Sequence, residues 1–115
     1  MHYKRADRVA AFIHEEISSM LLHDLKDPAV GFVTITKVRV TDDLRHAKIY
    51  YSVLGGDAKK NESAAALSRA TGYIRTEVGR RLRIRNVPEI IFVFDDTTEY
   101  ADRIEHLIKK IKEEE

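Results

Sequence analysis

The sequence has 115 residues, of which 43% are hydrophobic; it contains no cysteine and carries a formal net charge of +1. This length suits a single domain, residues 1–115, with one core, and the lack of cysteine excludes disulfides and thiolate chemistry. No apolar run reaches the length of a signal peptide's core or of a membrane-spanning helix, so we expect a soluble, cytoplasmic protein.

The first predicted element is a helix from Lys4 to Leu25. Apolar residues recur there at helical spacing until a proline follows. Three cations lie in its first turns, where the helix dipole disfavours positive charge: Lys4, Arg5 and Arg8. Two interpretations are open for them, an exposed and frayed terminus or contact with a phosphate group.

Two strands are predicted next, over residues 32–40 and 46–54. The short connection between them, residues 41–45, predicts an antiparallel hairpin. In the first strand, the alternation of apolar and polar residues is interrupted between Ile35 and Val38, which are three residues apart. This interruption predicts a β-bulge or a change in which face of the strand is covered. The second strand alternates apolar and polar residues, so we expect a sheet that is covered on one side only.

The polar face of the hairpin is a candidate RNA contact through Arg45, His46 and Lys48. The alternative is ordinary surface chemistry, since exposed strand positions often carry such residues and Arg45 can pair with a neighbouring aspartate. Tyr50 could stack on a base, although an aromatic residue on a strand more often contributes to packing.

A long helical pattern follows, and Ala70-Thr71-Gly72 interrupts it. Glycine inside a helix costs about 0.5–1 kcal/mol relative to alanine, and sharp bends often coincide with glycine. The pattern therefore predicts a kinked or broken helix pair with its pivot at these three residues.

The last two elements are a strand and a helix. The unbroken apolar run from Ile90 to Phe94 predicts a central strand with both faces buried. Asp96 and Glu99 form a possible capping box for a terminal helix over about residues 97–112. We expect its apolar stripe to pack against the protein's own sheet. The stripe consists of Ile104, Leu107, Ile108 and Ile111.

Charge is segregated in residues 67–85, which hold six arginines and one acid, whereas the rest of the chain has 14 basic and 18 acidic side chains. Ile74, Val78 and Leu82 recur at i, i+4 and i+8, so one face of this segment is predicted to be buried. A solvated helix surface usually mixes both signs of charge, which makes a polyanion-binding surface the favoured interpretation. Its candidate residues are Arg75, Arg80, Arg81, Arg83 and Arg85.

The order of the predicted elements indicates an α+β fold with helices packed on a small sheet. Four segments along the chain carry a family resemblance: KRADRVA, LKDPAVGFVTITKVRV, DLRHAKIYYSVLG and ATGYIRTEVGRRLRIRNVPEIIFVFDD, followed by the acidic Glu99. Together, and in this order, they resemble bacterial ribosome-binding factor A from Lys4 to about Arg103.

The resemblance implies a type II KH-like fold, with a three-stranded mixed sheet and helices packed on one face. It also implies an interhelical kink at Ala70-Thr71-Gly72 in place of the Gly-x-x-Gly loop of ordinary KH domains. No two glycines of this chain are three residues apart, so the loop that clamps four nucleotides in ordinary KH domains is absent.

The function implied by the resemblance is that of a non-enzymatic assembly factor. Such a factor binds the small (30S) ribosomal subunit and assists late maturation and 5′-end processing of 16S rRNA. Assembly GTPases are further candidate partners.

Enzymatic and metal-binding patterns are weak in this sequence. His14-Glu15 begins like a zinc-protease helix, but Ser18 stands where the second histidine must be. Asp95-Asp96 precedes a helical pattern, where a helix cap explains it better than a cation site. We therefore expect no catalytic residue, no metal and no cofactor.

Two other functions are alternatives to the assembly factor. One is a general single-stranded RNA-binding module that acts away from the ribosome. The other is a protein-interaction or dimerisation module that uses the apolar stripe of the terminal helix. We expect a monomer, because a stripe of this width is ordinary for a helix that packs within its own domain.

Overall fold

The helices and strands follow one another along the chain in the order that the sequence predicts, with a single long helix in the place of the predicted helix pair. The computed structural model describes residues 4–114, except for the side chains of residues 98–100 and 102. Within these limits the helices are α1 (Arg5–Ser19), α2 (Asp57–Leu82) and α3 (Thr97–Glu114), and the strands are β1 (Val33–Val40), β2 (His46–Val53) and β3 (Glu89–Phe94). A π-helical turn, Met20–Asp24, and a 3-10 turn, Pro28–Phe32, connect α1 to β1.

The three strands form one mixed sheet in the order β1-β2-β3. β1 and β2 pair antiparallel, and their register shifts between Ile35 and Lys37, which confirms the predicted hairpin and bulge. β3 pairs parallel to β2 and lies at the edge of the sheet, so the prediction of a central strand was wrong. Apolar residues nevertheless occupy both faces of β3. Ile90 is buried beneath the helices, whereas Ile91, on the other face, is 37% exposed.

The core lies between one face of the sheet and the helices α1 and α2. Ala47, Ile49 and Tyr51 of β2 point into it, in agreement with the alternation in the sequence. The predicted helix stripe is also confirmed, since Ile74 and Val78 are fully buried. The opposite face of the sheet is open to solvent along β1 and β2.

α2 runs without interruption through Ala70-Thr71-Gly72, which excludes a broken helix pair. The other form of the prediction, a kink at these residues, stays a prediction. The hydroxyl of Thr71 donates to the Leu67 carbonyl at 2.8 Å, and the hydroxyl of Thr76 donates to the Gly72 carbonyl at 3.0 Å. Such bonds to the preceding turn are compatible with a continuous helix and often bend it slightly. One glycine costs only about 1 kcal/mol, and burial of the helix's apolar face offsets this cost.

α3 leaves its apolar stripe in solvent, so the expectation that the stripe packs on the sheet was wrong. Leu107 is 57% exposed, and Ile104, Ile108 and Ile111 are exposed as well. At the start of the helix, the Asp95 carboxylate accepts a hydrogen bond of 3.0 Å from the Thr97 amide. The predicted capping box depends on the side chain of Glu99, which lies outside the described part of the chain.

Within residues 4–114 there is no helix with the length and hydropathy that crossing a lipid bilayer requires.

Candidate nucleic-acid interface

The turn after α2 places two of the predicted arginines side by side. Arg83 ends the helix in a left-handed conformation, with φ 56° and ψ 38°, and its amide donates to the Gly79 carbonyl at 3.0 Å. The chain then reverses, and Arg75 donates to the Val87 carbonyl at 3.2 Å. Arg75 and Arg85 consequently line the same groove on the surface of the protein.

An adjoining cleft joins parts of all three predicted basic patches. Arg85 lines this cleft together with Arg5 from α1 and Arg45 from the hairpin turn. Because Arg85 belongs to both depressions, Arg5, Arg45, Arg75 and Arg85 form one continuous surface, which we call the arginine cleft. Sequence spacing alone could not predict that residues 5, 45 and 85 meet.

One carboxylate, Asp43, also lines the arginine cleft. The hydroxyl of Thr41 and the amide of Arg45 donate to it, at 2.6 and 3.0 Å, and these bonds lower the pKa of Asp43. The Arg45 guanidinium is 4.0 Å from this carboxylate and both side chains are exposed, so their attraction is weak. The charge of Arg45 thus stays available to an anionic ligand.

Arg81 does not contribute a free cation, contrary to the prediction. Its guanidinium binds Glu16 at 2.7 Å, Asp24 at 2.8 Å and Glu77 at 3.3 Å. The hydrogen bonds that Arg81 donates to Glu16 and Asp24 raise its pKa, and its side chain is only 23% exposed. Arg81 therefore joins α2 to α1 and to the π-helical turn. Two of its partners precede it by more than fifty residues, so no local pattern could reveal them.

Arg80 is paired with a carboxylate, as Arg81 is, but its side chain is largely exposed to solvent. It pairs with Glu77 one helical turn earlier, at 2.7 Å, and Arg80 lowers the pKa of that glutamate. Its own side chain is 69% exposed, whereas that of Glu77 is only 16% exposed, and Glu77 keeps Arg81 as a second partner at 3.3 Å. A phosphate group can therefore compete for Arg80 at little cost.

The remaining predicted contacts are exposed but lie in different settings. Arg8 is exposed on α1, and Arg83 is exposed at the end of α2. Lys4 is 3.7 Å from Asp42, in a pair that is largely in solvent. Gly72 has open space where a Cβ would lie, and Ala70 and Thr71 are half-buried beside it. Lys48 lies on the open face of the sheet.

Two further cations on that open face were not among the predicted contacts. Lys37 and Arg39 project from β1 on the same side as Lys48 from β2. Their spacing of two residues, directly after the bulge, is the signal that could have placed them on one face.

No group of three or more His, Cys, Asp or Glu residues suited to a metal ion occurs within the described residues. His14, from the segment that begins like a zinc-protease helix, is instead 3.2 Å from the Ile35 carbonyl oxygen. The histidine thus contacts the backbone of β1.

Comparisons with known proteins point to one family. The family model of ribosome-binding factor A matches residues 5–108 of the chain. The ribosome-binding factor A of Geobacter metallireducens is 51% identical over 98% of this chain and 96% of its own length. That of Geobacter sulfurreducens is 45% identical over 97% of this chain and 95% of its own length.

Solved structures resemble the fold as well. A crystal structure of ribosome-binding factor A from Thermus thermophilus has a TM-score of 0.66 at 23% identity, covering 76% of this chain and 93% of its own. A solution structure of a putative ribosome binding factor A from Thermotoga maritima has a TM-score of 0.61 at 35% identity, covering 80% and 91%. A Thermus thermophilus homology model fitted into a cryo-EM map of a 30S–RbfA complex has a TM-score of 0.56 at 24% identity, covering 75% and 94%. These neighbours share the KH-like α+β architecture described above.

Proposed function

This chain belongs to the ribosome-binding factor A family, and from this premise we propose that it is a non-enzymatic factor that binds the small (30S) ribosomal subunit. We further propose that it acts in the cytoplasm as a single domain and a monomer, assisting late maturation and 5′-end processing of 16S rRNA. Assembly GTPases are candidate partners under this proposal. The observation that carries the proposal is the family match over residues 5–108. The Thermus thermophilus homologue fitted into a 30S complex also supports it.

The arginine cleft supplies a physical basis for binding RNA. A guanidinium group engages two phosphate oxygens at once, and four such groups lie along one surface. Contacts of this kind provide affinity with little sequence readout. Selectivity for the subunit would then come from the shape of a composite RNA and protein surface, as is usual for structured RNA.

Co-sedimentation with purified 30S subunits tests this proposal. The double variant Arg75→Glu, Arg85→Glu reverses two charges in the arginine cleft and is expected to lower affinity at least tenfold. The variant should also bind with a weaker dependence on salt, because the log–log slope falls by about one for each phosphate that the protein no longer neutralises. The double variant Lys26→Glu, Lys112→Glu is the control with the same change of charge, because both lysines are exposed and neither is among the cleft residues.

Absence of co-sedimentation at low salt would contradict the proposal for the whole chain. Equal loss of binding in the control double variant and in the arginine-cleft double variant would show that net charge, and not the arginine cleft, governs association. Comparable affinity for unrelated RNA oligonucleotides and for 30S subunits would instead support the general RNA-binding alternative.

A further inference from the structure

The open face of the sheet carries its own arrangement of side chains, distinct from the arginine cleft. Across the sheet, Lys37 pairs with Tyr50 and Tyr50 with Val93. The next outward-facing row consists of Arg39, Lys48 and Ile91. Successive rows on one face are about 6.6 Å apart, given the rise of a strand. The face therefore presents one aromatic ring beside a compact group of cations.

Among the residues that the structure describes, no carboxylate pairs with the two cations of the second row. Arg39 and Lys48 are direct cross-strand partners, an arrangement in which like charges destabilise a sheet. Neither forms an ion pair with any carboxylate in the described part of the chain. The acids at the ends of the face have other partners, since Glu89 is 3.8 Å from His46 and Asp95 accepts a hydrogen bond from Thr36. An anionic ligand would relieve the repulsion between Arg39 and Lys48.

Tyr50 lies in the middle of this face, on the central strand. Its side chain is half-buried, and Val93 and the 37%-exposed Ile91 provide apolar surface on the strand beside it. The ammonium group of Lys37 lies 4.5 Å from the centre of the ring. A cation–π contact at an exposed site is weaker than stacking of a nucleobase on an aromatic ring. A base can thus displace the flexible Lys37 side chain, which then becomes available to a phosphate.

We propose that this open face, centred on Tyr50, binds an unpaired segment of RNA, with one base stacked on the Tyr50 ring and the adjacent phosphates on Arg39 and Lys48. The inference rests on the proposed function for the source of that RNA, and it adds a second contact surface to the arginine cleft. An acidic protein segment would satisfy the two cations but would make no use of a ring that neighbours Lys37. Stacking combined with cations is the usual chemistry of single-strand binding.

The test uses the full chain and a short RNA, hexa-adenylate, in a titration followed by NMR. We expect the largest shifts at Tyr50, Ile91 and Val93. Replacing the ring in Tyr50→Leu should weaken binding about 5- to 150-fold, the range of one base–aromatic stack. Tyr50→Phe keeps the ring and should bind within about twofold of the original protein. An abasic hexamer of the same length should bind Tyr50→Leu and the original protein equally.

A second variant keeps the proposal testable if Tyr50→Leu does not fold. Lys48→Glu removes one exposed cation and turns the like-charge pair with Arg39 into a pair of opposite charges. The affinity for hexa-adenylate should therefore fall at least tenfold. Lys26→Glu alone is the control with the same change of charge.

Three outcomes would overturn the inference. Shifts that map to the arginine cleft, with unchanged affinity in Tyr50→Leu and Lys48→Glu, would exclude the open face. Equal losses for the abasic and the complete hexamer would exclude base stacking. Cross-linking of this face to a ribosomal protein in the 30S complex would assign it to a protein partner. Each of these can occur while 30S subunits still bind through the arginine cleft, so failure here is distinguishable from failure of the proposed function.

Discussion

The guanidinium group of Arg81 donates a hydrogen bond of 2.7 Å to the carboxylate of Glu16, a residue 65 positions earlier in the chain. Another nitrogen of the same group donates to Asp24 at 2.8 Å. These bonds thus fix the end of α2 to α1 and to the π-helical turn that follows α1. The arginine cleft depends on this junction, because Arg5 and Arg85 lie on the two segments that it holds together.

We expect Arg81→Gln to lower the free energy of unfolding by about 1 kcal/mol, since three carboxylates lose a shared partner in a partly screened site. Urea denaturation at low and high salt measures this, and the loss should shrink as salt screens the charges. Arg80→Gln is the matched control on the same turn and should change stability less, because Arg80 is 69% exposed and Glu77 keeps Arg81 as a partner. Equal effects of the two variants would contradict the structural role of Arg81.

Gly79 and Gly72 are expected to respond oppositely to alanine. A Cβ at Gly79 would collide with the side chain of Val87, whereas a Cβ at Gly72 would meet no atom within 4 Å. Gly79→Ala should destabilise the protein by about 1–3 kcal/mol through overpacking. Gly72→Ala should stabilise it by about 0.5–1 kcal/mol, because alanine favours the helix. Thermal or urea unfolding of both variants measures the difference.

The collision at Gly79 can be tested further with a second substitution. Val87→Ala removes the atoms that a Cβ at position 79 would meet, so it should restore part of the stability lost in Gly79→Ala. Strict additivity of the two effects would show that the collision with Val87 is not responsible. A destabilising Gly72→Ala would show that a continuous helix is the wrong description at that position.

The apolar residues of α2 and α3 should differ in their contribution to stability. Ile74 is fully buried, so Ile74→Ala should cost about 2–5 kcal/mol, because apolar burial is reduced and a cavity forms. Ile108 is 51% exposed, and Ile108→Ala should change the stability by less than about 0.5 kcal/mol. Chemical denaturation compares them, and light scattering shows whether the α3 stripe is covered by a second copy. A large loss in Ile108→Ala would mean that the stripe is covered in solution.

The hydrogen bonds to the Asp95 carboxylate should contribute to stability until the pH falls well below neutral. Hydrogen bonds from Thr97 and Thr36 lower the pKa of Asp95 from 3.8 to about 2. Because the folded pKa is depressed, the stabilisation is complete above about pH 4 and is lost as the pH falls towards 2. Thr36→Val removes one donor and should raise the pKa of Asp95, which a carboxyl NMR titration measures. Thr41→Val is a control in the hairpin turn and should leave the Asp95 titration unchanged.

Local patterns predicted much of the fold, because they reflect the period of side chains along each element. The spacing of apolar residues predicted the bulge after Ile35 and the buried faces of β2 and α2. The position of β3 was not predictable in this way, since a short apolar run does not show whether it lies at the centre or the edge of a sheet. Helix continuity at Gly72 depends on packing that outweighs a small propensity cost.

The candidate site was only partly predictable, because charge composition shows which residues are basic but not what neutralises them. Arg81, unlike Arg75, is paired with Glu16 and Asp24, which the fold brings from a distant segment. The meeting of Arg5, Arg45 and Arg85 likewise depends on tertiary structure. Lys37 and Arg39, in contrast, could have been recognised from the phase of β1 alone.

At position 83, helix-end stability and positive charge favour different residues, because Arg83 adopts a left-handed conformation. Glycine adopts this conformation without the steric cost that a side chain incurs, so Arg83→Gly should give a more heat-resistant protein. The same change would remove an exposed guanidinium from the end of the helix. Efforts to make this protein more thermostable by idealising its helix ends would therefore sacrifice charge at a candidate RNA contact.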